Sequence, residues 1–270
     1  MTSAADRPPI RTEELEDLSP WRVQVVAASG STNADLAARA RAGAPAATVL
    51  VAEHQTAGRG RIDRTFVTPD RAALTFSVLL RPDVAPSAWP WLPLAAGLAV
   101  RAGTRARHPE LDVRLKWPND VLVHGADGVD RKVCGILAER VETPAGAAAV
   151  LGIGVNVSTR ADELPVPTAC SLLTAGAPEA TLDRTALLRA VLAELASVLD
   201  LWQGGEQGAL RGAYAAACTT VGQAVRVVVP AGEPLEGEAV DVDADGRLVV
   251  RSGGRDHAVS AGDVVHVRRA

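Results

Sequence analysis

The 270-residue sequence predicts an α+β fold: a main domain of interleaved strands and helices, followed by a small antiparallel β-barrel. Three observations predict it. Between residues 21 and 217, runs rich in β-branched residues alternate with segments whose apolar residues recur at helical spacing. The strongest helical segment, 184–202, sets Leu187, Leu188, Val191, Leu195, Val198, Leu199 and Trp202 along one stripe. From about Cys218 the texture turns to short β-rich runs, cut by the turn sequences Ala244-Asp245-Gly246 and Gly253-Gly254. The predicted organisation is a lead-in over 1–20, a main domain over 21–217 and a barrel over 218–270.

In chain order, the lead-in reads as loose or weakly helical. Residues 21–27 (WRVQVVA) alternate as a strand does. Ser29-Gly30-Ser31-Thr32-Asn33 is a cap-rich turn that opens an amphipathic helix over 34–41, stopped at Gly43. A second strand over 48–53 leads into a polar loop over 54–69 and then a buried strand over 74–80 (LTFSVLL). A helix is expected over 91–105. Two short strands, 113–117 and 121–124, are split by Pro118, which has no N–H to give a ladder. A turn at 125–130 precedes β runs over 132–141 and 148–157. Asp183 is the expected N-cap of the helix over 184–202, and 207–217 reads as one more helix. The barrel strands are expected at 225–229, 237–242, 247–251, 257–260 and 264–267.

Composition excludes several classes of function. A formal net charge of −4 argues against a nucleic-acid-binding surface, and no apolar stretch is long enough to span a membrane. Cys134, Cys170 and Cys218 stand far apart, in no metal-ligand spacing, and read as reduced thiols of a cytoplasmic protein. The acidic start, with Asp6, Glu13, Glu14, Glu16 and Asp17, lacks the apolar core of a signal peptide. Of the 28 basic residues, only Lys116 and Lys132 are lysine. Arginine is a planar fork of donors, whereas lysine is a compact point charge that enters a narrow slot. Lysine kept at two positions alone marks those positions as worth following.

Both fall inside segments that carry chemistry. Residues 55–64 (QTAGRGRIDR) interleave Arg59, Arg61 and Arg64 with glycines, so that backbone N–H groups and bidentate guanidinium groups can approach a carboxylate or phosphate. No Gly-Lys-Ser/Thr follows, so this is not a Walker loop. Lys116-Trp117-Pro118-Asn119-Asp120 packs a cation, an indole, an amide and a carboxylate around a rigid turn at a strand end. Residues 132–139 (KVCGILAE) put Lys132 into an apolar strand, with Gly135 leaving room for something to approach. Residues 152–157 (GIGVNV) clear one face of a strand with alternate glycines before Asn156. The turn at 29–33 is a helix cap, or a cap that also receives an anion at the helix N-terminus.

In this order and at these spacings, the segments closely resemble the biotin–protein ligase family. That family carries a Ser-Thr-Asn cap, a Gly-Arg-Gly-Arg loop, Lys-Trp-Pro-Asn-Asp, Lys-x-x-Gly-Ile-Leu-x-Glu and Gly-x-Gly-x-Asn in sequence. The resemblance runs from about Trp21 to the C-terminus. It implies a class II synthetase-like catalytic domain, with a mixed central sheet and flanking helices, and a C-terminal SH3-like barrel. It also implies a two-step reaction. Biotin and ATP give biotinyl-5′-AMP and pyrophosphate, and the biotin then passes to a lysine of a biotin carboxyl carrier protein of an acyl-CoA carboxylase. Magnesium would enter on the ATP phosphates, with no protein metal site.

Residue by residue, the resemblance implies biotin contacts from Ser31, Thr32, Asn33, Gln55, Arg59, Gly60, Arg61, Lys132 and Gly135. Arg61, Arg64, Trp117, Asn119, Asp120 and Asn156 would hold the nucleotide or its adenylate. Lys132 and Arg61 would be the catalytic cations, Asp120 a helper in deprotonating the acceptor amine, and 158–170 the adenylate-side loop. Asp63 departs from the family, which usually has glycine there; an acid at that place can pair with Arg61 or Arg64 in the empty state. A lipoate or octanoate ligase of the same broad fold would need a more apolar pocket, without the urea-binding polar set. Some family members are also biotin-responsive repressors with a helix-turn-helix, for which the twenty residues before Trp21 are too few. A nucleotide-binding module without transfer activity is the blandest alternative. The family expectation for assembly is a monomer or a homodimer.

Overall fold

The computed structural model describes residues 7–61, 64–228, 233–260 and 262–266. Asp63, and the expected strand ends Val229 and Val267, lie outside the described residues. The main domain runs β1 (Arg22–Ser29), α1 (Thr32–Arg41), β2 (Thr48–Gln55), β3 (Gly58–Arg59), β4 (Thr65–Phe66) and β5 (Ala73–Leu80). It continues through α2 (Trp91–Arg107), β6 (Asp112–Lys116), β7 (Asp120–His124), β8 (Asp130–Thr143), β9 (Gly146–Asn156), α3 (Arg184–Gln203) and α4 (Gln207–Ala217). Five further strands follow: β10 (Ala224–Val228), β11 (Leu235–Val242), β12 (Leu248–Ser252), β13 (Arg255–Val259) and β14 (Asp263–His266).

The central sheet is mixed, as expected, in the order β1-β2-β5-β9-β8-β7-β6. β1 and β2 run parallel, linked by α1, and every other neighbouring pair is antiparallel. Side-chain alternation shows what covers each face. Leu50, Leu79, Val141, Ala148 and Val150 pack with Leu36, Ala37 and Ala40 of α1. Their sequence neighbours Val49, Val51, Val78, Leu80, Ala149 and Leu151 join the larger core on the opposite face, with α2 and α3. Helix α1 is short and covers only part of its face. Beyond it, the α1-side series on β9 continues as Gly152, Gly154 and Asn156, and Ser77 of β5 stands opposite Gly152. There the apolar lining stops and a cleft begins.

Three expectations change, the first being the polar loop over 54–69, which contains the β3–β4 pair. Helix α1 starts at Thr32, because Ser31 is extended (φ −156°, ψ 120°) and its hydroxyl accepts from Ala34 N; Thr32 and Asn33 therefore lie in the first helical turn. The described part of the lead-in is built into the main body, not loose. It contains a 3₁₀ turn (Thr12–Leu15), buries Ile10 and Leu15, and sends Ile10 N to Glu53 Oε1 at 2.6 Å. Glu53 also holds Arg184 at 2.6 Å in a buried ion pair. Polar and apolar ties of this kind were invisible because their partners lie more than 40 residues away in the chain.

The C-terminal strands are antiparallel throughout, in the order β13-β12-β11-β10-β14, which fits an SH3-like barrel. Two buried indoles of the main domain reach its β11–β12 turn: Trp91 Nε1 donates to Ala244 O at 2.7 Å and Trp117 Nε1 to Gly246 O at 3.0 Å. A buried Trp N–H needs such a partner, so the turn is fixed against the main domain.

Candidate active site

The cleft beyond α1 has a volume of about 880 Å³, in the range of small-molecule sites. Ser31, Thr32, Asn33, Gln55, Arg59, Gly60, Arg61, Arg64, Trp117, Asn119, Asp120, Lys132, Gly135 and Asn156 all line it, so the residues for which the resemblance implies a biotin or nucleotide contact meet in one place. Lys116 lines it too, which puts both lysines of the chain in the cleft. Val264, Val265 and His266 of the barrel complete one wall.

One end is a polar socket at the start of α1. Gln55 Oε1 accepts from Thr32 N at 2.8 Å and from Thr32 Oγ1 at 3.0 Å, which uses both of its lone pairs and leaves the Gln55 amide N–H groups to donate. Buried Ser77 Oγ lies 2.7 Å from Thr32 Oγ1 and 2.5 Å from Asn33 Oδ1. Asn33 Nδ2 donates to Glu139 Oε2 at 2.7 Å and to Leu137 O at 3.2 Å. Ser31 Oγ, accepting from Ala34 N, keeps its own hydrogen. The socket therefore offers donors from Ser31 and Gln55 beside an acceptor on Asn33, a set complementary to a cyclic urea, with its one carbonyl and two N–H groups. Gly152 makes the socket possible: a Cβ there would stand 2.2 Å from Asn33 Oδ1.

The other end is cationic. Lys132 Nζ reaches Asp120 Oδ1 at 2.5 Å, across the cross-strand pair Asp120–Gly135. The side chain that Gly135 admits is that of Lys132 itself, since a Cβ on Gly135 would sit 3.2 Å from Lys132 Nζ. Arg61 Nη1 donates to Asn119 Oδ1 at 3.0 Å, and Asn119 Nδ2 in turn donates to Ile136 O at 2.9 Å. Arg59 lies over Glu139 at 3.4 Å. The Gly-Arg-Gly-Arg loop closes on itself through Gly60 N to Arg64 O at 2.6 Å. The strand hydrogen bonds of Lys132 go to 168–170 (Lys132 N to Thr168 O, Cys170 N to Lys132 O, both 2.8 Å), and Asn156 Nδ2 donates to Cys170 O at 2.9 Å. The expected adenylate-side loop is thereby tied to the lysine strand.

The chain is 45% identical to the biotin–[acetyl-CoA-carboxylase] ligase of Mycobacterium tuberculosis, with 97% of each covered. Residues 30–156 match the model of the biotin/lipoate A/B protein ligase family, and 220–267 match that of the biotin protein ligase C-terminal domain. The chain belongs to the biotin protein ligase family. It is also 34% identical to the bifunctional ligase/repressor BirA of Escherichia coli, over 57% of this chain and 46% of that one. Among solved structures, a biotin protein ligase from Aquifex aeolicus in complex with biotin and ATP superposes with a TM-score of 0.75 at 25% identity. That match covers 92% of this chain and 99% of the other.

Three residues that shape the cleft escaped sequence reasoning. Ser77, one hydroxyl inside an apolar strand, and Glu139, present only as the last residue of the Lys-x-x-Gly-Ile-Leu-x-Glu pattern, both hold Asn33 from behind the lining. Phe66, whose ring fills the space over Gly154, sits in what reads as polar loop. For each, the signal is a partner far along the chain. Cys134, although it lines the cleft, is no nucleophile: burial pushes its thiol up to about 12, and Cys170 is raised to about 11 by the same cause. No helix among the described residues is long and apolar enough to cross a membrane.

Proposed function

We propose that the chain is a biotin–[acetyl-CoA-carboxylase] ligase that makes biotinyl-5′-AMP from biotin and ATP, then passes the biotin to a lysine of a biotin carboxyl carrier domain. The observation that carries this reading is a single cleft with a urea-complementary socket at one end and a lysine–arginine pair at the other. A dithiolane, the head of lipoate, has nothing to offer the socket's donors and acceptor, which favours biotin.

In the first step a biotin carboxylate oxygen attacks the α-phosphorus of ATP and the bond to the β-phosphate oxygen breaks, releasing pyrophosphate. Two unit negative charges 4 Å apart repel by about 1 kcal/mol in water and about 4 kcal/mol at an effective dielectric near 20. A closing cleft thus raises the cost unless cations are supplied. Lys132 and Arg61 supply them; Lys132 pairs with Asp120 and Arg61 donates to Asn119, contacts that an incoming phosphate can replace. Arg59, Gly60 and Arg64 belong to the loop that shields the mixed anhydride from water. Magnesium carried in on the ATP phosphates would neutralise charge there.

In the second step the acceptor amine nitrogen attacks the acyl carbon, the bond to the phosphate oxygen breaks, and AMP leaves. The amine sheds a proton, and Asp120, a carboxylate that lines the cleft, is placed to take it once Lys132 has turned to phosphate. We place this chemistry in the cytoplasm, where ATP and reduced thiols coexist. The test is an assay with ATP labelled at the α-phosphate. Adenylate is expected with biotin and not with lipoate, and AMP release only when a carrier domain is added. Adenylate with lipoate alone, or AMP without carrier, would sink the reading.

A further inference from the structure

Glu139 ends the Lys-x-x-Gly-Ile-Leu-x-Glu segment and has no part in the chemistry above, yet it joins the two halves of the cleft. Its Oε2 accepts from Asn33 Nδ2 at 2.7 Å and faces Arg59 at 3.4 Å. A carboxylate can only accept, as can the Leu137 carbonyl, so Glu139, which makes the shorter of the two bonds, and Leu137 together leave the Asn33 amide one orientation. Both Asn33 N–H groups are then committed, to Glu139 and to Leu137 O, while Oδ1 takes one hydrogen from Ser77 and keeps a free lone pair. What Asn33 can offer a ligand is an acceptor and never a donor.

We propose that Glu139 is a positioning residue for the biotin head group: it sets the polarity of the Asn33 amide, and through Arg59 it ties that socket to the Gly-Arg-Gly-Arg loop. The inference rests on the biotin reading above. A urea N–H needs the acceptor that Glu139 enforces. Without the carboxylate, only the longer bond to Leu137 O at 3.2 Å opposes a turn of the Asn33 amide about its terminal torsion, which would set a donor against that N–H and leave both unpaired. The lysine–arginine end, built on Asp120 and Asn119, is untouched by such a change.

The test uses the full chain and steady-state pyrophosphate release. In Glu139→Gln and Glu139→Ala, the KM for biotin should rise about tenfold or more, while kcat and the KM for ATP stay within about twofold. The near-isosteric Gln variant serves even if Ala unfolds the chain. A biotin analogue methylated on one urea nitrogen provides a second readout. The wild-type chain should reject it strongly, and Glu139→Gln should reject it less, because the acceptor is no longer imposed. A biotin KM unchanged in the folded variants, or equal losses in the biotin and ATP terms, would overturn the proposal. Failure of the wild-type chain to bind biotin at all would instead sink the reading beneath it.

Discussion

Lys132 lies across Gly135 to reach Asp120, a path that a single methyl group on Gly135 would crowd. The chemistry at this scale is a choice of partner for one ammonium. Lys132→Ala should fold normally, since the side chain is more than a third exposed, and should lose adenylate formation by about 10³-fold or more. Asp120→Asn should behave differently: the lysine keeps its charge for the first step, and the proton acceptor of the second is lost. Adenylate formation within about tenfold of wild type, with transfer to carrier slowed about 10²-fold, is expected in a chase of preformed adenylate. Equal damage to both steps would remove Asp120 from the second. The lysine itself was legible, because arginine everywhere else made two lysines conspicuous. Ser77, Asn33 and Glu139 form one network from three elements, and no spacing in the sequence joins residues 33, 77 and 139.

Among the elements, β9 shows most plainly how a strand builds a floor for a site. Its α1-side series runs Ala148, Val150, Gly152, Gly154, Asn156: apolar under the helix, empty where the cleft begins, polar at its end. The cleared face was legible as two alternate glycines. What fills the clearance was not, because Asn33 and Phe66 arrive from α1 and β4. Gly152→Ala should therefore act on the socket more than on the sheet. A Cβ 2.2 Å from Asn33 Oδ1 cannot be accommodated without moving the amide, an overpacking cost of about 1–3 kcal/mol. If that cost falls on binding, biotin affinity measured by calorimetry drops about 5- to 150-fold, with the melting temperature little changed. A variant that melts much earlier yet binds biotin as tightly would show that the sheet, not the socket, needed the glycine. The polar stretch over 54–69 is the element that sequence reading served least well. It folds into the β3–β4 pair, whose two-residue strands are too short to carry a pattern.

Across the whole molecule, the barrel is both structure and cleft wall, and one histidine sits where the two meet. His266 of β14 lines the cleft and lies 3.3 Å from Thr220 Oγ1. Burial holds its pKa below the ordinary 6.5, the charge of Lys116 lowers it further, and Asp130 opposes both. His108, buried at the end of α2, is also lowered by burial, against the pull of Glu110 and with the push of Arg107. In both cases the unfolded chain binds a proton that the folded chain refuses, so stability is full above the unfolded value and falls as pH drops below it. Carboxylates held low by arginine partners, such as Asp127 at about 2, give up their stabilisation only in more acidic solution. Between about pH 7.5 and about pH 5.5 the histidines therefore govern the slope. The melting temperature should fall across that window, and His108→Gln with His266→Gln should flatten it. If the double variant keeps the full acid sensitivity, neither histidine is its source. If His266→Gln alone removes the slope and also weakens ATP turnover near pH 6, the barrel wall is coupled to the cleft through that one side chain.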